Sequence, residues 1–295
     1  MDAALFQQIV DGVRWTRRLN CIGVAGLTLI LIDLIHTFPD EVRYMWPAPL
    51  SVPKVLFFVL RYYLIGHLGF VMAFDFPLGL SPEDCKVAFT RNIVSSALCV
   101  VVSEWILFIR VWAFSGRDRR MLAFLIFQAI LPLGAGLATV LVLFDKSVTF
   151  VQFPFTDLPC MPADINDGYL SGAFALVLWS VASVNSIMIY LAFRRHQEFK
   201  TSLFQVFYRD GVFYMVLMSI LALLNIIINV SSARSLKWAF TQIEVISHGV
   251  LATRMLLHLR QTADKKGPVA LRNERFPSTI QFSTRPGYNQ STWTS

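Results

Sequence analysis

"LILIDLIHTFPDEVRYMW", residues 29–46, is an apolar run that holds a carboxylate at Asp33, four residues before Thr37. A charge inside a membrane-spanning segment is costly and is normally paired or functional. The apolar pattern breaks at Phe38-Pro39, where an acidic and aromatic connection begins. Because proline disfavours the continuation of a helix, this stretch predicts a membrane helix that ends near residue 37 and carries a charge close to its end.

The rest of the chain has the composition of a membrane protein. Of its 295 residues, 55% are hydrophobic and 15% are charged, against about 25% charged in soluble domains. A bilayer crossing needs about 20 apolar residues, and such runs form helices because lipid offers the backbone no hydrogen-bond partner. Seven runs qualify, at 19–37, 55–74, 92–114, 121–144, 169–193, 211–230 and 238–258.

We therefore predict an all-α, polytopic membrane protein built as a seven-transmembrane-helix bundle. Residues 1–18 form an extracellular N-terminus and residues 19–258 form the membrane domain. The tail at 259–295 is rich in Ser, Thr, Pro and Arg without an apolar period, so we expect it to be disordered.

The distribution of Lys and Arg predicts the orientation, since these residues concentrate in cytoplasmic loops. Connections on one side of the bundle carry 14 of them and those on the other side carry 8. Arg14, Arg17 and Arg18 before the first helix favour the opposite orientation. We expect an outside N-terminus and a cytoplasmic C-terminus, in the plasma membrane or another membrane of the secretory pathway. The net charge of +7 lies in these connections and the tail, which argues against a nucleic-acid partner.

The cysteines offer an independent check of this topology. Cys85 lies in the connection before the third helix and Cys160 in the connection between the fourth and fifth helices, both on the predicted outer face. A disulfide between them would tie the long loop at 145–168 to the top of the third helix in an oxidising compartment. The alternative is two free thiols in mobile loops, because spacing does not determine connectivity.

Four ionisable residues inside the spans suggest two ion pairs. Counted along the helices, Asp33 and Arg254 both lie roughly 6 Å from the cytoplasmic edge, and the first and last helices of a closed bundle are neighbours. Arg61 and Glu104 both fall toward the middle of the membrane, as a second candidate pair. The plainer interpretation of each pair is a satisfied structural contact between helices.

A further polar group lies nearer the predicted outside. His67, Asn225 and Glu244 have similar depth, and His248 follows Glu244 by one turn on the same helix face. We expect them to line an outward-facing cavity, with interhelical contacts as the alternative. His67, Glu244 and His248 are also the sole candidates for a metal site, but no HExxH-like motif supports one. We therefore expect no catalytic residues and no metal. The last helix also lacks the lysine that binds retinal in light-driven proteins, so we expect no cofactor either.

An N-terminal signature at about residues 20–65 comprises "IDLIHTFPDEVRYMW" and "KVLFFVLRYY", and weaker similarity extends to "IRVWAF", "YRDGVFYM" and "LATRMLLHLR". These stretches resemble a family of fungal membrane proteins, the domain-of-unknown-function 6533 proteins of mushrooms. Ile32 departs from the tyrosine usual at that position. The matching positions are Asp33, Thr37, Glu41, Trp46, Lys54, Leu56, Arg61 and Tyr62. The resemblance implies a seven-helix membrane protein without an established activity.

Three functions are compatible with these features. A receptor-like signalling protein is favoured by seven helices, an outside N-terminus, the disulfide position and short basic inner loops. Its cytoplasmic partner would bind the loops at 115–120 and 194–210, although the helices lack the usual receptor motifs. The alternative is a transporter or channel that uses the intramembrane charges. The third is a metal-dependent intramembrane hydrolase, and the ligand of any of them is not identified by the sequence.

Overall fold

The computed structural model describes residues 3–77, 80–130, 134, 149–150, 160, 162–164, 167–196, 202–231 and 234–265. Within these residues the chain forms seven helices and one two-stranded antiparallel sheet, so the prediction of an all-α protein is confirmed there. The elements are α1 (Ala3–Tyr44), α2 (Val52–Asp75), α3 (Pro82–Phe114), α4 (residues 119–130), β1 (Thr149–Phe150), β2 (Pro162–Asp164), α5 (Asp167–His196), α6 (Ser202–Ser231) and α7 (Arg234–Lys265).

Three of the described helices are long and apolar enough to cross a membrane: the Arg17–Tyr44 part of α1, α2 and α3. Shorter apolar stretches lie in α5 at Ala175–Leu191 and in α6 at Val216–Ile228. Most of the part of the predicted fourth span after residue 130, and the predicted tail beyond residue 265, lie outside the described residues. These helices indicate a membrane protein.

The first helix is longer at both ends than the sequence predicted. It begins at Ala3, so residues 3–18 belong to α1 rather than to a separate N-terminal segment. The expected end at Phe38-Pro39 is wrong, because α1 continues through Pro39 to Tyr44. Pro39 is exposed, and the helix continues through it with the loss of one backbone hydrogen bond.

The third helix also begins earlier than its apolar run, so Cys85 lies in the first turn of α3 and not in a connection. The signals for this start are local. The Ser81 side chain accepts a hydrogen bond from the Asp84 backbone N–H at 3.1 Å, and Pro82 occupies the first turn. Such a cap and proline are the usual start of a helix, even where the first turns are polar.

The connections predicted at 115–120 and 194–210 are shorter than expected. The predicted loop at 194–210 consists mostly of helix, because α5 ends at His196 and α6 begins at Ser202. The five residues between them lie outside the described residues. The connection at 115–120 is a tight turn in which Gly116 and Arg117 both have positive φ. Residues 259–265, expected in the tail, belong to α7.

Helix α7 lies at the centre of the described bundle. It packs against α1, α2, α3 and α6, while α3 packs against α2, α5 and α7. Two glycines allow this close packing. A Cβ at Gly249 on α7 would lie 2.9 Å from the Leu64 side chain of α2, and one at Gly26 on α1 would lie 2.6 Å from that of Ile246. The first and last helices are therefore neighbours.

The helices turn apolar side chains outward and bury polar ones. On α1, Ile32 and Ile35 are 62% and 73% exposed, whereas Asp33 and Thr37 are buried. Large apolar residues such as Phe127 and Phe213 point outward on α4 and α6. Exposed apolar faces of this extent fit lipid as the surrounding solvent.

The connection between α4 and α5 is anchored to the start of α3. In the described part, Thr149 of β1 pairs with Asp164 of β2 and Phe150 pairs with Pro162, and β1 packs against α3. Cys160 forms a disulfide with Cys85, with Cα atoms 5.7 Å apart. This strand pair and its disulfide sit at the N-terminal end of α3.

Enlarging Gly249 tests the close approach of α7 to α2. Gly249→Ala should be less stable than Gly66→Ala by about 1–3 kcal/mol, because the new methyl group forces Leu64 to move. Gly66 is the matched control, since a Cβ there meets nothing within 4 Å and the helix-propensity gain is shared. The measurement is thermal unfolding of the purified proteins in detergent. Equal melting temperatures would contradict the close packing.

Candidate functional site

A stripe of polar residues runs along the buried face of α1. Asp33, Thr37 and Glu41 recur every four residues, which places them on one face of the helix, and all three are buried. The Thr37 hydroxyl donates to the Asp33 carbonyl at 2.6 Å and so satisfies itself within the helix. The two carboxylates require partners from other helices.

Arg61 of α2 supplies the central positive charge. Its guanidinium lies between the two carboxylates: Nε is 2.5 Å from Glu41 Oε2, and Nη1 is 3.6 Å from Asp33 Oδ2. Nη2 donates to the Thr37 hydroxyl at 2.5 Å and to the Leu34 carbonyl at 3.3 Å. The residue is only 4% exposed. The contact with Glu41 is an ion pair without the alignment of a hydrogen bond.

Glu41 is fully buried and has three partners. Besides Arg61, the Tyr62 hydroxyl donates to its Oε1 at 2.7 Å, and the Trp46 indole N–H donates to the same oxygen at 3.2 Å. Hydrogen bonds to a charged group are among the stronger ones in proteins. Glu41 thus connects the end of α1, the following turn and α2.

Arg254 of α7 completes the set. Its Nε donates to Asp33 Oδ1, and its side chain is 45% exposed. The order of contacts is Arg254–Asp33–Arg61–Glu41, two acids and two bases in alternation, and we call these four residues the charge network. Because the signs alternate, each charge lies beside one of opposite sign, which offsets part of the cost of its burial. The network joins α1, α2 and α7 at one end of the bundle.

Lys54 fastens the short connection between α1 and α2. Its ammonium donates to the Trp46 carbonyl at 2.9 Å and to the Ala48 carbonyl at 2.6 Å. These carbonyls follow the last turn of α1, where helical partners are missing. Lys54 therefore stabilises the turn that positions Trp46 against Glu41.

The space beside the network is small. A cleft with a cavity volume of about 10 Å³ is lined by residues of α1, α2 and α7, including Asp33, Arg61 and Thr253. Small-molecule sites are usually about 300–1,000 Å³. The arrangement therefore suits a contact that holds three helices together better than a site for an organic ligand.

The expected pairing of Arg61 with Glu104 is wrong. Arg61 turns toward α1 and pairs with Asp33 and Glu41, while Glu104 of α3 lies near Glu244 of α7 and Ser180 of α5. Depth along each helix was similar for both residues, but the direction in which a side chain leaves the helix depends on how the helices are rotated. Glu41 takes the expected place of Glu104.

The predicted outer group divides into two parts. His67 Nδ1 is 3.1 Å from the Ser95 hydroxyl and its Nε2 is 3.3 Å from Gln242 Oε1. Separately, the Asn225 amide donates to Glu244 Oε2, and His248 Nε2 lies 3.8 Å from Glu244 Oε1. All four residues are buried, so they do not line an open cavity in this structure.

The metal hypothesis finds no geometric support in the part of the chain that the structure describes. No three His, Cys, Asp or Glu side chains converge there as ligands of a metal ion. His67 is bound to Ser95 and Gln242 rather than directed at Glu244 and His248.

Sequence reasoning missed the role of Glu41 because it placed that residue outside the helix. The spacing did indicate this role, since Asp33, Thr37 and Glu41 follow one another at intervals of four residues and so share one face of a continuous helix. The family-signature residues Trp46, Lys54 and Tyr62 had no assigned contacts, and the structure places them around Glu41 and the turn after α1.

Removing either arginine should test the centre of the charge network. Arg61→Gln should destabilise the protein by about 3–5 kcal/mol, because Glu41 and Asp33 stay buried without their common cation. Arg254→Gln should cost about 1 kcal/mol or less, because that arginine is half-exposed. The stability of both variants is measured by thermal unfolding in detergent and by the fraction of monodisperse protein.

A compensating variant distinguishes charge from packing. Arg61→Gln combined with Glu41→Gln removes one charge of each sign and should recover part of the lost stability. If the double variant were no more stable than Arg61→Gln alone, the ion pair would not be the source of the loss. The reversal of Asp33 and Arg254 is a poor test, because an arginine at position 33 would face Arg61.

Tyr62→Phe tests the support of Glu41. Loss of the hydroxyl removes a hydrogen bond to a charged acceptor and should cost about 1.5–3 kcal/mol. Tyr63→Phe, the neighbouring position, is the matched control, and thermal unfolding is the measurement. Equal losses in the two variants would show that the hydroxyl contact with Glu41 contributes nothing specific.

Comparison with known proteins agrees with the position of this site. No curated protein matches the chain significantly. Residues 21–66 match the model of a protein family of unknown function, DUF6533. The matched segment runs from α1 through the connection into α2 and contains Asp33, Glu41 and Arg61, so the family similarity coincides with three of the four members of the charge network.

Proposed function

We propose that this chain is a seven-span membrane protein with an outside N-terminus and a cytoplasmic C-terminus, and that it acts as a receptor-like signalling protein. The observation that carries this proposal is the difference between the two ends of the bundle. One end bears a disulfide-anchored strand pair, and the opposite end bears the charge network.

Several features support seven spans although only three described helices meet the criterion of length and apolarity. Helix α7 is surrounded by α1, α2, α3 and α6, so it needs little lipid-facing apolar surface. A central helix can therefore carry Glu244, His248 and Arg254 and still cross the bilayer. The exposed apolar residues of α5 and α6, such as Trp179 and Leu223, fit lipid contact.

The orientation and compartment rest on two arguments. The excess of Lys and Arg lies on the side of the charge network, which favours that side as cytoplasmic. The Cys85–Cys160 disulfide lies at the other end and fits an oxidising compartment, as expected in the plasma membrane or the secretory pathway.

A receptor needs a ligand-accessible end, an end that engages a partner, and an element with two arrangements between them. The disulfide-anchored connection is suited to be the ligand-accessible end. The half-exposed contact between Arg254 and Asp33 is suited to be the element with two arrangements, because breaking it would cost little free energy. A cytoplasmic partner would then bind near 115–120 and the short α5–α6 connection.

The transporter alternative is favoured by one specific observation. Glu104 and Glu244 are buried in the middle of the bundle, as in proteins that carry ions or protons. In that interpretation the flux depends on these carboxylates and not on Arg61.

Spin-label distances and flux measurements discriminate the two functions. With Cys21 replaced by Ser, labels at Arg119→Cys and Asp264→Cys report on the separation of the α4 and α7 ends at the charged side. We expect two populated distances, with the longer one enriched by Arg254→Gln, because loss of the Asp33 contact releases α7. The matched control is Arg43→Gln, a charge removal on α1 outside the network.

The same preparations in proteoliposomes with an internal pH dye should show no proton flux above empty liposomes. A single distance that Arg254→Gln leaves unchanged, together with a flux that Glu104→Gln abolishes, would reject the receptor-like function in favour of transport. Protease protection of tags at the two termini tests the orientation.

A further inference from the structure

Three buried ionisable side chains lie on two helices that pack together, away from the charge network. They are Glu104 of α3 and Glu244 and His248 of α7, which are 4%, 3% and 0% exposed, and we call them the acidic core. The charges of the two carboxylates are close enough to interact. The acidic core lies where α3 and α7 pack against each other.

The acidic core differs from the charge network in its charge balance. Among the described residues, neither Glu104 nor Glu244 has a Lys or Arg within ion-pair distance. Asn225 donates to one oxygen of Glu244, and Ser180 lies beside Glu104 without a well-oriented hydrogen bond. Two carboxylates without a Lys or Arg partner in a low-dielectric interior repel each other, and each loses most of its solvation by water.

The acidic core also contains polar atoms without hydrogen bonds. Within the described part, Oε1 of Glu104, Oε1 of Glu244 and both ring nitrogens of His248 are buried and have no hydrogen-bond partner. His248 Nε2 is directed at Glu244 Oε1 at 3.8 Å. Buried polar atoms of this kind are rare in folded proteins. A proton on a carboxylate oxygen would remove its charge and make it a hydrogen-bond donor. A proton on the imidazole would make the second ring nitrogen a donor.

Among the described contacts, no ion pair joins another titratable side chain of the packed helices to Glu104, and only His248 approaches Glu244. Arg110 of α3 is buried but forms no described ion pair with either carboxylate. His67 of α2 is engaged by Ser95 and Gln242, and Cys99 of α3 is a buried thiol. Asp33, Arg61 and Arg254 satisfy one another within the charge network. The contact from α6 is the amide of Asn225, which does not titrate.

We propose that the acidic core is a proton-binding site, in which Glu104 and Glu244 together hold at least one proton and His248 lies next to the oxygen that receives it. The proton comes from water and binds without any other bond being broken. A metal ion is a poorer occupant, because the described ligands do not converge on one point. The site is independent of the receptor-like function, since it binds a proton whether the chain signals or transports.

Infrared spectroscopy of the full chain in lipid nanodiscs tests this directly. A protonated carboxyl group absorbs separately from a carboxylate and shifts in heavy water. We expect the wild-type protein at neutral pH to show a protonated-acid band that is lost in the Glu104→Gln/Glu244→Gln double variant. Glu83→Gln, an exposed glutamate of α3, is the matched control and should keep the band.

The pH dependence of stability gives a second measurement, and its sign follows from the burial. The folded protein favours the protonated form and the unfolded chain releases the proton, so the stability of the wild-type protein relative to the double variant should fall as the pH rises from mildly acidic to mildly alkaline. Each proton so linked changes the folding equilibrium by up to about tenfold per pH unit. Glu83→Gln, measured against the same double variant, should show the same fall.

Three outcomes would overturn the proposal. The first is a wild-type spectrum without a protonated-acid band at any pH at which the protein is folded. The second is a band that persists in the double variant. The third is a stability that responds to sodium chloride but not to choline chloride at constant pH in the wild-type protein alone, which would identify a cation site. If the double variant does not fold, the wild-type spectrum and the two single variants decide. These readouts do not depend on the distance and flux measurements.

Discussion

The guanidinium of Arg61 lies between the carboxylates of Glu41 and Asp33, and the arrangement of the first two helices depends on this contact. A buried guanidinium needs negative charge on more than one side, because each of its N–H groups loses a water partner. The extension of α1 beyond Pro39 brings Glu41 to the required depth. Trp46, Lys54 and Tyr62 then hold the end of α1 against α2.

The contact between Arg61 and Asp33 also explains how α7 is attached to α1 and α2. Asp33 has two oxygens, of which one faces Arg61 and the other accepts from Arg254 on α7. Gly26 and Gly249 allow α7 to approach α1 and α2 closely enough for this. Close packing and charge pairing therefore support each other, since lipid provides no hydrophobic drive between helices.

The charge network and the acidic core are two different solutions for polar residues in an apolar bundle. In the network every charge has a partner of opposite sign. The buried part, Glu41–Arg61–Asp33, forms a stable joint between α1 and α2, and the half-exposed Arg254 links α7 to it. In the acidic core, Glu104 and Glu244 share no basic partner among the described residues, so their protonation is coupled to the folded state. The charge network thus supports the packing of the helices, whereas the acidic core is suited to bind and release a proton.

The apolar runs of the sequence determined the helices and their order, because a segment that must satisfy its own backbone in lipid has little choice of structure. Counting depth along the helices also brought Asp33 and Arg254 to the same level. The sequence misled where rotation about a helix axis mattered, as for Arg61 and Glu104, and where Pro39 was taken as a helix end. Which charges meet was decided by the tertiary structure, because the direction of a side chain depends on how each helix packs against its neighbours.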